Sequence, residues 1–297
     1  MKVIILAGGF ATRLWPITEQ RAKPLLLING KEQISHIVET LPQDVDIYIS
    51  TNAVFQDDFR EWAQRCFPER NISVYVEDSS SEAKKLGPVK AINYCITDNK
   101  IDDDLLVVAG DNFFGFPLSQ MIDDFDGSAN VNAVYKLNTL QEAQKFGIAN
   151  IQNGMIESFE EKPKEPKSLM ASTACYIFRK EDVGLLQKRF GLDDTVYELG
   201  DILSYLINEE KKPFIAYQFD SFWYDIGSFQ SYIDAHKEIH GGKSIIDDTA
   251  QIQDSSIQGS VYIGPNTLLE NCVIEDSLVF GSTVLKDCTI RGSIIDT

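Results

Sequence analysis

Short apolar runs alternate along the chain with longer stretches in which apolar residues recur every three or four positions. The runs Lys2–Ala7, Asp46–Ser50, Ile72–Val76, Leu105–Ala109 and Asn132–Leu137 predict strands. The stretches Gln33–Leu41, Asp57–Cys66, Pro88–Thr97 and Leu118–Phe125 predict helices between them. Such alternation predicts an α/β fold with a Rossmann-like, mostly parallel sheet sandwiched by helices. Sheets of this kind bind ligands beyond the carboxyl ends of their strands. Gly8-Gly9 and Gly110-Asp111-Asn112 stand at two such ends.

The pattern changes in the middle of the chain. Phe146–Gln152, Met155–Phe159, Ala171–Phe178 and Pro213–Phe219 predict strands with shorter connections. Helices are expected over Glu181–Phe190, Glu198–Asn208 and Ser228–Ile239. These segments are expected to extend the same domain, residues 1–240, and to wall its cleft.

After Gly241-Gly242 the sequence repeats itself. Ile252–Ser260 aligns with Leu269–Ser277, 17 residues on, and with Leu285–Ser293, a further 16 residues on. Ser255, Cys272 and Cys288 fall in one column, Gly264 and Gly281 in another. A fixed period with small and β-branched residues in register predicts stacked coils of a β-solenoid over residues 241–297. Ile245 to Thr297 spans 53 residues, room for about three coils, and contains no histidine to serve as a base. A structural or oligomerising tail is therefore expected rather than an acyltransferase. The last coil ends with the sequence, and an open solenoid end predicts a partner, as in a homo-oligomer.

Composition narrows the function. The formal charge is −18, from 27 Lys plus Arg against 45 Asp plus Glu. A surface this acidic repels phosphate backbones and anionic bilayers, which argues against nucleic-acid and membrane partners. Five cysteines without a CxxC pair indicate neither a disulfide framework nor a zinc site, and fit a reducing cytoplasm. The first apolar run is too short to span a membrane and lacks a signal peptide's cleavage region. His36, His236 and His240 have no ligand spacing, and the first and second are expected to be packing or surface residues.

Four segments carry candidate chemistry. Leu6-Ala7-Gly8-Gly9 leads to Arg13 and then to Lys23. Paired glycines after a strand let backbone N–H groups approach a phosphate, and Arg13 supplies a fork of donors suited to its oxygens. Gly110-Asp111-Asn112 and Trp223-Tyr224-Asp225-Ile226-Gly227 each put a carboxylate at a strand end. Two carboxylates meeting in one cleft can hold Mg²⁺ against triphosphate oxygens. The fourth segment is Phe159-Glu160-Glu161-Lys162-Pro163.

Together these segments resemble the sugar-1-phosphate nucleotidyltransferases. That family's signature is Leu-Ala-Gly-Gly-x-Gly-Thr-Arg-Leu-x-Pro-x-Thr, then Pro-Lys, Gly-Asp-Asn, Phe-x-Glu-Lys-Pro and a late Trp-x-Asp-x-Gly. The resemblance implies the nucleotide-diphospho-sugar transferase fold, with a short left-handed β-helix as the tail. It implies that Leu6, Ala7, Gly8, Gly9 and Gly87 line the nucleotide site. Arg13, Lys23 and Lys162 would act on the phosphates; Asn112, Gly147 and Glu161 would bind the sugar; Asp111 and Asp225 would bind Mg²⁺. The implied reaction joins an NTP and a hexose-1-phosphate into an NDP-sugar and pyrophosphate, most similar to glucose-1-phosphate with dTTP or UTP. Mannose-1-phosphate guanylyl transfer and a catalytically silent sensing subunit are the alternatives. A phosphate nucleophile is already ionised, so no general base is needed, which matches the absence of a Ser-His-Asp arrangement.

The sequence departs from the family pattern in places. Ala11 replaces a glycine, Ala22 replaces the proline before the lysine, and Phe146 stands where relatives often have tyrosine. A positive φ at position 11 would strain Ala11. The segment Glu77–Gly87 is longer than in thymidylyltransferases and lacks their glutamine, which leaves the base open.

Overall fold

The computed structural model describes residues 1–77, 86–191 and 195–296. One nine-stranded sheet organises the first 240 residues. Its strands are β1 (Lys2–Leu6), β2 (Asp46–Asn52), β3 (Ile72–Glu77), β4 (Leu105–Ala109), β6 (Asn130–Lys136), β7 (Gly147–Gln152), β8 (Met155–Glu161), β9 (Met170–Phe178) and β10 (Phe214–Gln218). Outside that sheet, β5 (Asn112–Phe114) pairs with β11 (Trp223–Asp225). The helices are α1 (Gln33–Glu39), α2 (Gln56–Cys66), α3 (Pro88–Asp98), α4 (Leu118–Asp123), α5 (Leu140–Ala143), α6 (Lys180–Phe190), α7 (Leu199–Leu203) and α8 (Phe229–Ile239). The helix expected over Glu198–Asn208 is α7 running into a π-helical turn, Ser204–Glu209.

The sheet order is β3-β2-β1-β4-β9-β6-β10-β8-β7. The four strands from β3 to β4 are mutually parallel. β9 and β8 run against all the others, so the sheet is mixed rather than mostly parallel in its pairing. Strands buried on both faces read as apolar runs whichever way they point. Val3 and Ile5 of β1 face one way, into a core with Ile34 and Ile37 of α1, Phe59 and Trp62 of α2, and Leu118 and Met121 of α4. Ile4 faces the other, with Val89 and Ile92 of α3, Val183 and Leu186 of α6, and Ile202 of α7. Both layers hold the parallel strands rigidly, and their carboxyl ends form the floor of a cleft.

After α8 the short tail strands stack in three all-parallel ladders. Ile252 pairs with Leu269 and Leu269 with Leu285, the register of the repeat. Ile257, Ile274 and Ile290 pair likewise. Cys272 is buried with its Sγ 3.4 Å from that of Cys288, and both are free thiols. The tail does not stand apart. Tyr262, Leu278 and Phe280 share a core with Tyr232, Ile233 and Ala235 of α8 and with Leu26 and Ile28. Arg21 reaches Asp296 at 3.5 Å.

Candidate active site

Two cavities that share a wall form one cleft over the strand ends. A volume of about 460 Å³ is lined by Leu6, Gly8, Gly9, Arg13, Glu77, Gly87, Ala91 and Val196 among others. A second, about 270 Å³, is lined by Asn112, Phe146, Gly147, Glu161, Ser172, Trp223 and Asp225 among others. Asp111, Lys162 and Glu198 line both. The first half therefore contains the residues expected around a nucleotide except Ala7, the second those expected around a sugar.

The loop after β1 shapes the first half. Ala7 is an exception to expectation. It is buried in the core and does not line the cleft. Its N–H donates to the Ser50 carbonyl at 2.7 Å and its carbonyl accepts from Thr51 Oγ1 at 3.3 Å, which ties it to β2. Gly8 lies against the Glu77 carboxylate, and a Cβ there would overlap Glu77 Oε1. Gly9 opens into free space. Ala11 has φ 49 and ψ 40, the left-handed conformation that favours glycine. Its carbonyl accepts from the Leu14 N–H and from Thr18 Oγ1, each at 2.9 Å, and these bonds hold the turn that presents Arg13. Ala22 takes φ −60, the angle a proline would impose. That backbone is kept without the proline, and Lys23 follows it. Gly87, with φ +83, caps α3 at the far wall.

Lys23 is buried and lines neither half of the cleft. Its Nζ lies 2.7 Å from Asp111 Oδ2 and 3.7 Å from Asp225 Oδ1. Asp111 follows β4 and Asp225 ends β11, whose pairing with β5 sets Asp225 opposite Asn112. Desolvation in the cleft, reinforced by Asp111, pushes the Asp225 carboxyl up to about 6 against the pull of Lys23 and Arg13. The carboxylate pair is held on the Lys23 ammonium. Its hard oxygen donors fit a divalent cation such as Mg²⁺. Among the described residues no cluster of three or more acidic, His or Cys side chains offers an all-protein cage, so a metal here would take its remaining ligands from substrate or water.

The second half is built around Glu161. Its carboxylate lies between Gly147 and Gly200, where a Cβ on Gly200 would overlap Oε2 and one on Gly147 would approach it to 2.8 Å. Desolvation raises its pKa, against the Lys162 ammonium 3.2 Å away. Lys162 sits at φ 44, held by a 3.1 Å bond from its N–H to the Phe146 carbonyl. Trp223 Nε1 donates to Asn112 Oδ1 at 2.5 Å, and its ring packs on Phe146 at 5.1 Å. Phe146 thus brings its ring to this contact without the hydroxyl a tyrosine would carry. Gly200 and Glu198 were not singled out by sequence reasoning, and Trp223 and Glu77 were named only as members of a motif or segment, without a role. The acidic pair in Glu198-Leu199-Gly200-Asp201 was the available signal for two of them.

His36 and His236 take packing roles, their Nε2 atoms 2.9 Å from the carbonyls of Ile28 and Leu27. Residues 78–85, which make up most of the expected base-reading segment, lie outside the described residues.

Fold and cleft define a nucleotide-handling transferase: parallel strand ends, a glycine loop with an arginine, and paired carboxylates beside a lysine. The nucleotidyl transferase family model matches residues 2–242, and the chain belongs to that family. The chain is 28% identical, over 286 residues, to a protein of Sulfolobus acidocaldarius assigned as a mannose-1-phosphate guanyltransferase, covering 94% of this chain and 76% of that one. It is similar to the crystal structure of a protein from Bacillus anthracis assigned as a glucose-1-phosphate thymidylyltransferase, solved with sucrose. The TM-score is 0.69 at 28% identity, over 80% of this chain and 94% of that chain. A UDP-glucose pyrophosphorylase solved with UDP-glucose shares the fold, with TM-score 0.67 at 21% identity, over 81% and 98% of the two chains.

Proposed function

We propose that this enzyme joins a nucleoside triphosphate to a hexose-1-phosphate, forming an NDP-hexose and releasing pyrophosphate. The observation that carries the reading is the shared wall of the two half-clefts. Asp111 and Lys162 stand where a nucleotide in one half and a sugar phosphate in the other would meet.

The chemistry follows from placement. The sugar phosphate oxygen attacks the α-phosphorus in line. Lys162 lies at the junction of the two halves, where it can hold the attacking phosphate, and Glu161 beside it accepts hydrogen bonds from sugar hydroxyls. Arg13 lines the nucleotide half and receives the charge of the leaving pyrophosphate. Lys23 keeps Asp111 and Asp225 together. These two carboxylates would hold Mg²⁺, which neutralises phosphate charge when bound. No side chain needs to remove a proton, because the attacking oxygen is already ionised. The retained Arg13, Lys23, Asp111, Lys162 and Asp225 favour turnover over a silent sensing role.

Glucose-1-phosphate with dTTP or UTP is the pairing the family resemblance favours. GTP with mannose-1-phosphate is the second reading, and one observation favours its base: the carboxylate of Glu77 in the nucleotide half. We assign residues 241–297 as a left-handed β-helix with a structural and oligomerising role. The exposed Ile245 and Ile246 on the first tail strand support contact with a second copy there. A cytoplasmic enzyme fits five free thiols, and no helix among the described residues is long and apolar enough to cross a membrane.

Arg13→Ala tests the reading. It removes charge stabilisation from the transition state without touching the core, so turnover should fall about 10²–10³-fold at unchanged melting temperature. Pyrophosphate release within a few-fold of wild type would contradict the assignment.

A further inference from the structure

The nucleotide half of the cleft is polarised. Asp111, Lys162 and Glu198 line the wall it shares with the other half, with Arg13 in this half alone; away from that wall stand Leu6, Gly87, Ala91, Val196 and one carboxylate, Glu77. Glu77 is only 5% exposed. Ser50 Oγ donates to its Oε1 at 2.9 Å, which leaves Oε2 and the second lone pair of Oε1 unused by that bond. The carboxylate rests on Gly8, whose missing Cβ makes room for it.

A nucleoside triphosphate is polarised in the same sense, with a polyanion at one end and an uncharged base at the other. Phosphate oxygens cannot settle on a buried carboxylate, so the base belongs at the Glu77 end. The sheet order agrees. Glu77 closes β3 and Asp111 follows β4, with β2 and β1 between them. Three strand spacings are about 14 Å, enough for a nucleoside to lie between the two carboxylates.

Hydrogen-bond chemistry then selects the base. An ionised carboxylate only accepts. Guanine presents N1–H and N2–H side by side, two parallel donors that match its two oxygens. Uracil and thymine offer one N–H flanked by two carbonyls. Adenine and cytosine offer one amino group beside an unprotonated ring nitrogen. Each of these sets an acceptor against the carboxylate, and a buried acceptor left facing another is costly.

We propose that Glu77 reads the base in this cleft and selects guanine, so that GTP is the nucleotide substrate. The proposal rests on the nucleotidyl-transfer reading for its reaction but not for its binding chemistry. Two measurements therefore separate the failures.

The first is pyrophosphate release from GTP, UTP, dTTP, ATP and CTP, with glucose-1-phosphate and with mannose-1-phosphate, for wild type and Glu77→Gln. Wild-type kcat/KM is expected to favour GTP by at least about 50-fold. Glu77→Gln supplies one donor and one acceptor, so the GTP-to-UTP ratio should fall by about 10- to 100-fold. A wild type that prefers UTP, dTTP or ATP overturns the proposal, as does a variant that loses all nucleotides equally. The second is calorimetric binding of GDP and UDP to wild type, which needs no turnover. Tight GDP binding with UDP at least tenfold weaker supports Glu77 as the reader even if no pyrophosphate appears, an outcome that would sink the transfer reading alone. Equal affinity for GDP and UDP overturns the proposal.

Discussion

Gly200 limits the sugar half through an atom it lacks. The Glu161 carboxylate occupies the space where a Cβ would stand, and Gly147 borders the same space. Gly200→Ala must therefore push the carboxylate aside at a fixed backbone. KM for the sugar-1-phosphate should rise about tenfold while kcat changes less than about threefold, the signature of lost ground-state binding. Initial-rate kinetics over sugar-1-phosphate concentration decide this, and an unchanged KM would remove Glu161 from the sugar contacts. At this scale much was legible. The residues expected at the nucleotide, phosphates, metal and sugar lie on one cleft or its floor, apart from Ala7, because most of them end or follow strands that meet there. What was not legible depends on tertiary approach. Nothing local marks Gly200 as the neighbour of Glu161, or Trp223 as the donor that fixes Asn112. The replacement at position 11 could be read from the chain, but only the structure shows that Ala11 carries the left-handed turn.

α8 is the element on which the sheet domain and the tail meet. His236 on its buried face contacts Tyr232, His240, Tyr262 and Phe280, with Leu27 as its hydrogen-bond acceptor. Burial pushes its pKa down to about 4, with His240 and His36 adding to the effect and the Leu27 carbonyl opposing it. The folded state thus keeps His236 neutral, while the unfolded chain protonates it near 6.5. Stability from this residue is complete above pH 6.5 and is lost as pH falls toward 4. Between pH 7 and 5 the loss is about 2 kcal/mol. Urea titrations at both pH values should show wild type losing about that much more than His236→Gln. Parallel losses in the two proteins would contradict a neutral buried His236. The short β5 and β11 were not readable from apolar spacing, whereas the nine strands of the main sheet and every helix but α5 were, to within a residue or two. So were the tail ladders, whose 17- and 16-residue repeat is the strand register. Strand direction was not: β9 is buried along most of its length as β1 is, and only its partners reveal that it is antiparallel.

Across the whole molecule, the charge of −18 coexists with a site made for polyanions. The cleft resolves this locally: Arg13, Lys145 and Lys162 line it, and the buried Lys23 pairs with Asp111 and Asp225 beneath it. Much of the remaining acidity stands in solvent, as at Asp102 and Glu181, where it repels nucleic acid but not a metal-bound nucleotide. The central claim is that the two half-clefts bring a nucleotide and a sugar phosphate together for reaction. Its most direct test is mass-spectrometric detection of product when the intact protein is given mixed nucleoside triphosphates, glucose-1-phosphate and mannose-1-phosphate with Mg²⁺. The account predicts an NDP-hexose formed one-to-one with pyrophosphate and abolished by EDTA. Triphosphates left intact, or hydrolysed without any sugar nucleotide, would contradict it.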